Sequence, residues 1–394
     1  MHPMVKPALR RAWRERQTIQ FGVTPAHAVS IGPVDTATGS LLELLDGTRG
    51  LELLDAQARA MGLPDGLAGA LVRRLAAAGL IDDATCGGPA AEALRSRADV
   101  LDRLRPDAAA LSVVDREPGG GMRRLAARRG IRVQVRGAGR VGASVAALLS
   151  AAGVGRVDVL DGGCVEPGDV TPGGLPAGAI GERREPAARG LVRRSAPQRP
   201  PRPAAGPAAG VGAGAGAAGD PGLSLVLVCP RDGLGAYAPD PGAAADWVEG
   251  GVPHLYAGVV EATGVVGPLV LPGGSACAGC LELGRADRDP GWPRLLAQWR
   301  SGGRRIPVPA CDLALASTVA GLTAAHALSF LDGELPLTTG SRWETSLPLL
   351  DWRREALAPH PRCVCGAGRG SGSSGKSEGE DTSGAAGSHE TMAG

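Results

Sequence analysis

Residues Val133 to Asp161 read VQVRGAGRVGASVAALLSAAGVGRVDVLD. An apolar run (Val133, Val135) ends in Gly137-Ala138-Gly139-Arg140-Val141-Gly142. A small-residue helix follows (Val145, Ala146, Leu148, Leu149), then a second apolar run (Val157, Val159, Leu160) closed by Asp161. Strand, glycine turn, helix, strand and acid, with the acid about 20 residues past the glycines, is the pattern of a nucleotide-binding βαβ unit. Gly137 permits the tight turn, Gly139 lets backbone N–H groups approach a phosphate, and Gly142 packs helix on strand. The helix N-terminus adds partial positive charge beside Arg140. Asp161 stands where a ribose hydroxyl is accepted. A chance glycine-rich turn in an Ala/Gly-rich chain is the alternative, and the flanking strands and acid argue against it.

Around this unit, 394 residues leave room for two domains and tails. A net charge of +2 gives no reason to expect nucleic acid as a main partner. Aromatics make up 3% of the chain, so a core must be built from Ala, Leu and Val. Lys6 and Lys376 are the only lysines, and arginine carries nearly all the positive charge. No run approaches the ~18 apolar residues of a membrane span, and the basic N-terminus lacks the apolar core of a signal peptide. The 8 cysteines therefore read as reduced thiols or metal ligands, and the chain as cytoplasmic.

The expected organisation is an N-terminal extension over 1–16, a small α+β winged-helix unit over 17–84, a connector over 85–130 and the Rossmann-like α/β domain over 131–366. In the winged-helix unit Ile19, Phe21, Val29 and Ile31 alternate as a hairpin, and three short helices follow, the third with Leu67, Leu71, Leu75 and Leu80 on one face. Asp65, Asp82 and Asp83 flank that helix, which favours peptide or protein docking over DNA reading. The connector is expected to contain a strand at Ala110–Val114 and a helix at Met122–Arg129. Residues 195–222 are low-complexity and read as a flexible loop, and the tail 367–394 as disordered.

Cys277-Ala-Gly-Cys280 follows an apolar strand, and Cys363-Val-Cys365 follows His360-Pro361. Two close thiolate pairs make a closed, structural tetrahedral zinc site that would staple the C-terminal segment to the main domain, with His360 able to replace one sulfur. Cys311 precedes a long small-residue helix, where a helix dipole lowers a thiol pKa. That makes it a nucleophile candidate, the alternative being a plain helix-entry residue.

Three stretches, GAGRVGASVAALLSAAGVGRVDVLDGGCVEPGDV, GVVEATGVVGPLVLPGGSACAGCLEL and CDLALASTVAGLTAAHALSFLDG, together resemble the ThiF/MoeB superfamily of ubiquitin-activating-like adenylyltransferases. The front unit resembles the PqqD-like peptide-recognition winged helix. The combination resembles leader-peptide-binding ThiF-like partners of YcaO cyclodehydratases. The resemblance implies ATP and Mg²⁺ as cofactors, a peptide or small carrier protein as partner, and a homodimer. It places the family's first acid on Asp161 and its second on Gly163, where it is lost. The family's Asn falls on Asp169, its phosphate-stabilising Arg on Pro172, its Gln on Gly173 and its Lys on Arg184. Its metal-binding acid matches Asp232 with a shift of one residue. Arg184, Asp232 and Cys311 are thus the candidate catalytic residues, and Gly137, Gly139, Arg140, Gly142, Asp161 and Arg184 the candidate nucleotide contacts. An active adenylyltransferase keeps Asp161 and Arg184 in service; a degenerate scaffold is what the missing charges suggest.

Overall fold

The computed structural model describes residues 1–198, 222–301 and 308–367. β1 (Pro3–Val5), β2 (Arg11–Glu15), β3 (Thr18–Phe21) and β4 (Val29–Ile31) open the chain, and β2-β3-β4 form an antiparallel sheet. Alternation puts Ile19, Phe21 and Ile31 on one face. There they share a core with Leu41 and Leu42 of α1 (Thr36–Glu43), Leu54 of α2 (Leu51–Ala60) and Leu71 and Leu75 of α3 (Leu67–Ala77). The first sixteen residues, read from sequence as an extension, carry two strands: β2 pairs with β3, and β1 pairs with β5 (Ile81–Asp83). Lys6 anchors this segment. Its ammonium is buried and donates to the Asp115 carbonyl at 2.7 Å, and burial lowers its pKa.

Three helices follow, α4 (Gly88–Arg95), α5 (Ala98–Val114) and α6 (Gly120–Ala127). The strand expected at Ala110–Val114 is a correction: those residues are the last turn of α5. A run of alanines there favours helix, and Val100 and Leu104 of the same helix pack on Leu125 and Ala126 of α6.

The main sheet is built from β6 (Arg132–Arg136), β7 (Arg156–Leu160), β8 (Leu223–Val228), β9 (His254–Val260), β10 (Thr263–Val270), β11 (Ser341–Ser346) and β12 (Arg353–Ala356), in the order β12-β11-β10-β9-β8-β6-β7. β7, β6, β8 and β9 run parallel, and β10 to β12 extend the sheet antiparallel. The helices are α7 (Arg140–Ala151), α8 (Arg184–Ser195), α9 (Leu234–Tyr237), α10 (Ala245–Glu249), α11 (Ala278–Arg288), α12 (Trp292–Ser301) and α13 (Leu313–Leu331). Apolar residues on α7 (Val145, Ala146, Leu149) and α13 (Leu315, Ala316, Val319, Ala320) place both helices in one core with Val133 and Val135. Contrary to the sequence reading, α13 is long and apolar enough to cross a membrane by length and composition; here it packs on α7, β9 and β10. The expected flexible loop falls mainly on residues 199–221 and the expected disordered tail on 368–394, both outside the described residues.

Because β7 and β8 flank β6 and their connections leave in opposite directions, a crevice opens at the carboxyl ends of these strands. The sheet's rear is tied by a buried pair: Arg128 donates from Nε and Nη2 to the Asp332 carboxylate at 2.9 and 2.6 Å, and from Nη1 to the Ala152 carbonyl at 3.1 Å. Asp332→Ala leaves that guanidinium buried without its carboxylate. It is expected to lower stability by about 3–5 kcal/mol in urea unfolding.

Candidate functional site: a glycine turn and a four-cysteine cluster

The turn between β6 and α7 has geometry that its glycines alone permit. Gly137 has φ +107°, and a Cβ there would lie 2.0 Å from the Cys229 carbonyl oxygen at the end of β8. A Cβ on Gly142 would lie 2.0 Å from the Gly137 carbonyl, so α7 sits directly on the turn. Gly139 is the N-cap of α7 and has no capping side chain. Asp161, at the end of β7, accepts a hydrogen bond from the Ala138 N–H at 2.6 Å, and its other oxygen is 3.7 Å from Arg184 Nη1. Arg140 holds the rim, donating to the carbonyls of Gly168 at 2.8 Å and Cys311 at 2.7 Å.

Next to the turn lies a charge cluster that sequence reasoning did not foresee as a unit. The Asp169 side chain, 4% exposed, accepts from Arg184 Nε (2.9 Å), from Arg231 Nε (2.7 Å) and from the Glu166 N–H (2.9 Å). Glu166 spans the same two arginines, with Oε1 3.1 Å from Arg184 Nη2 and Oε2 2.9 Å from Arg231 Nη2. Arg184 Nη1 donates to the Gly162 carbonyl at 2.8 Å, so each nitrogen of its guanidinium, 6% exposed, has an internal partner. Gly163 makes room for it: a Cβ there would approach Arg184 Nη1 to 3.0 Å. Burial draws the Asp169 carboxyl up, but the Glu166 N–H and the two guanidiniums outweigh it and hold the pKa below its ordinary value. Arg231, first through its hydrogen bond and then through its charge, holds Glu166 low as well.

Arg231 faces the turn. Its Cγ lies 2.9 Å from where a Gly139 Cβ would stand, whereas Asp232 is exposed on the following loop. The signal that was available is positional: Arg231 comes second after Cys229, in the loop that leaves the end of β8.

Cys311 departs from its expected character. Asp312, not Cys311, caps α13, accepting from the Leu315 N–H at 3.0 Å, and burial pushes the Cys311 thiol up rather than down.

The other candidate centre is well formed. Cys277 caps α11 and Cys280 lies in its first turn, while Cys363 and Cys365 come from the segment after β12. The four sulfurs lie within 4.8 Å of one another, with closest spacings of 3.9 Å (Cys277–Cys280), 3.5 Å (Cys277–Cys363) and 3.5 Å (Cys280–Cys365). Ligands on a tetrahedral metal at about 2.3 Å are separated by about 3.8 Å, so the set has the spacing to hold a metal ion. Tyr256, Val270 and Ala276 bury it. His360 is not part of it; its Nε2 is 2.9 Å from Asp287 on α11.

A glycine turn with an acid on the next strand, at the switch point of a mostly parallel sheet, is the architecture of a Rossmann-like α/β domain. Residues 116–203 match the ThiF family. In fold, 92% of the chain superposes on 98% of Escherichia coli MccB solved with succinimide, at TM-score 0.64 and 14% identity. The same enzyme solved with ATP is similar over 92% of this chain and 99% of that one, at TM-score 0.62 and 14% identity. PaaA is similar over 89% and 99%, at TM-score 0.62 and 15% identity. No curated protein matches at the sequence level.

Asp169 is expected to show its role on the acid side. Its lowered pKa contributes stability that is complete above the ordinary carboxylate value and is lost as pH falls through the folded value. Asp169→Asn, which removes the buried carboxylate shared by Arg184 and Arg231, is expected to cost about 3–5 kcal/mol at pH 7. It should also flatten the pH dependence of unfolding below about pH 4; an unchanged acid limb would refute the assignment. Gly279→Ala brings a Cβ to 3.0 Å from Cys363 Sγ and is expected to weaken metal retention in a competition with a chromogenic chelator.

Proposed function

We propose that the protein binds ATP at the glycine turn and activates the C-terminal carboxylate of a peptide or small carrier protein. The observation that carries this reading is the turn itself: Gly137, Gly139, Gly142 and Asp161 brought together at the carboxyl ends of parallel strands. Support comes from MccB, which has been solved with ATP and with the peptide MccA. In the reaction, a carboxylate oxygen of the peptide attacks the α-phosphorus, the bond to the bridging oxygen breaks, and pyrophosphate leaves. The chain's part is to position the two reactants and to meet developing charge with N–H groups and guanidiniums.

Magnesium, implied by the family resemblance, fits poorly. A divalent cation takes carboxylate oxygens, yet Asp161 and Asp169 are engaged internally and Arg231 faces the turn. Asp232 and Cys311, the other catalytic candidates, stay on the rim with no role in this reading.

The four cysteines hold zinc in this proposal, a closed site that clamps the C-terminal segment to α11. The N-terminal unit would take the peptide. β4 has β3 on one side, leaving its other edge open for a peptide strand beside α3. A groove of about 390 Å³ across β2 and β3, lined by Arg11, Trp13 and Arg14, offers basic and aromatic contacts. The protein would act in the cytoplasm, as a homodimer in the manner the resemblance implies.

A second reading has its own observation. Arg184 is held by Asp169, Glu166 and Gly162, which suits a degenerate scaffold that presents a leader peptide to a partner YcaO-type cyclodehydratase. Carrier-dependent exchange of labelled pyrophosphate into ATP separates the two. The adenylating reading expects exchange that Asp161→Ala reduces by 10²-fold or more, on the order of one lost transition-state contact. No exchange with any peptide that the N-terminal unit binds would leave the scaffold. Cys363→Ser with Cys365→Ser is expected to abolish stoichiometric zinc in elemental analysis and to lower Tm.

A further inference from the structure

We infer that the nucleotide site takes its ligand's phosphate without a divalent cation, in a two-arginine cradle that Glu166 occupies when no ligand is bound. The inference rests on the nucleotide-binding reading above and specifies how that site works.

Three features of the charge cluster support it. First, the cations are fixed from behind. Asp169 accepts from the Nε atoms of both Arg184 and Arg231, which leaves the two Nη2 groups pointing toward a common place. Secondly, what fills that place is a carboxylate at the rim. Glu166 bridges the two Nη2 groups at 3.1 and 2.9 Å, and its side chain is 62% exposed, against 4% for Asp169. Asp169 is enclosed by the fold, while Glu166 sits at the water-facing edge of the cluster, from which it can turn outward. Thirdly, the Arg231 side chain passes over Gly139, the N-cap of α7, which puts the cradle beside the glycine turn. A phosphate has the charge and the oxygen spacing to replace a carboxylate on paired guanidiniums.

The same arrangement argues against a metal. Asp161 and Asp169 spend their oxygens on internal partners, and the guanidinium of Arg231 beside the turn repels a divalent cation at that point. Gly163 and Asp169 fit this arrangement of charges. The bare glycine at 163 leaves space for Arg184, and the acid at 169 balances the two arginines.

The test is titration calorimetry of ATP into the zinc-loaded full chain, in resin-treated magnesium-free buffer and again with magnesium chloride; a chelator is avoided because it would strip the cysteine site. The inference expects affinities within about threefold in the two buffers. It also expects Glu166→Gln to tighten binding about tenfold by removing the competing charge, and Arg231→Ala to weaken it about tenfold or more. Glu166 is exposed, so its variant should fold normally, which a melting curve checks. Binding that needs magnesium, or that Glu166→Gln weakens, overturns the inference and leaves the nucleotide reading standing. No binding by wild type or by Glu166→Gln in either buffer overturns both.

Discussion

Asp169, buried between Arg184 and Arg231, is the constraint around which the working end of this molecule is organised. A carboxylate taken out of water is costly unless its lone pairs are used, and here they are: two guanidiniums and one backbone N–H consume them. That single group links the loop after β7, the start of α8 and the loop after β8. It therefore sets the distance between the glycine turn and everything that faces it. Remove its charge and the two arginines lose the buried carboxylate they share.

The glycine turn and the charge cluster depend on each other sterically. Gly137 must lack a side chain because the Cys229 carbonyl passes against it, and that same approach brings Arg231 over Gly139. Charge placement at the mouth is thus a consequence of how closely β6 and β8 lie, not of flexible side chains finding partners. The cysteine cluster does comparable work at the other side of the sheet. It joins α11 to a segment some eighty residues away in sequence, where few apolar side chains are on hand to do so.

Several elements were legible because their signal is local. The βαβ unit reads from residue spacing alone, as do the two cysteine pairs, the hairpin at Ile19–Ile31 and the long helix before Asp332. Where local signals misled, a tertiary cause is visible. Ala110–Val114 looked like a strand from its apolar end, but α5 continues through it because Val100 and Leu104 dock on α6. Cys311 looked like a thiol activated by a helix end; Asp312 takes the cap, and burial governs the thiol. His360 sits near the second cysteine pair in sequence, yet Asp287 holds its ring away from the sulfurs.

By itself, the sequence determined the class of fold and the two places where chemistry is concentrated, since both rest on spacing that survives any packing. Only the tertiary structure decided what the charges do. Arg184 was counted from sequence as a retained phosphate-binding cation, and it is instead enclosed by Asp169, Glu166 and Gly162. Arg231 was passed over in favour of Asp232, and it is the residue that faces the turn. A charge's role depends on its partners and its exposure to water, and both are set by strands and loops far apart in the chain.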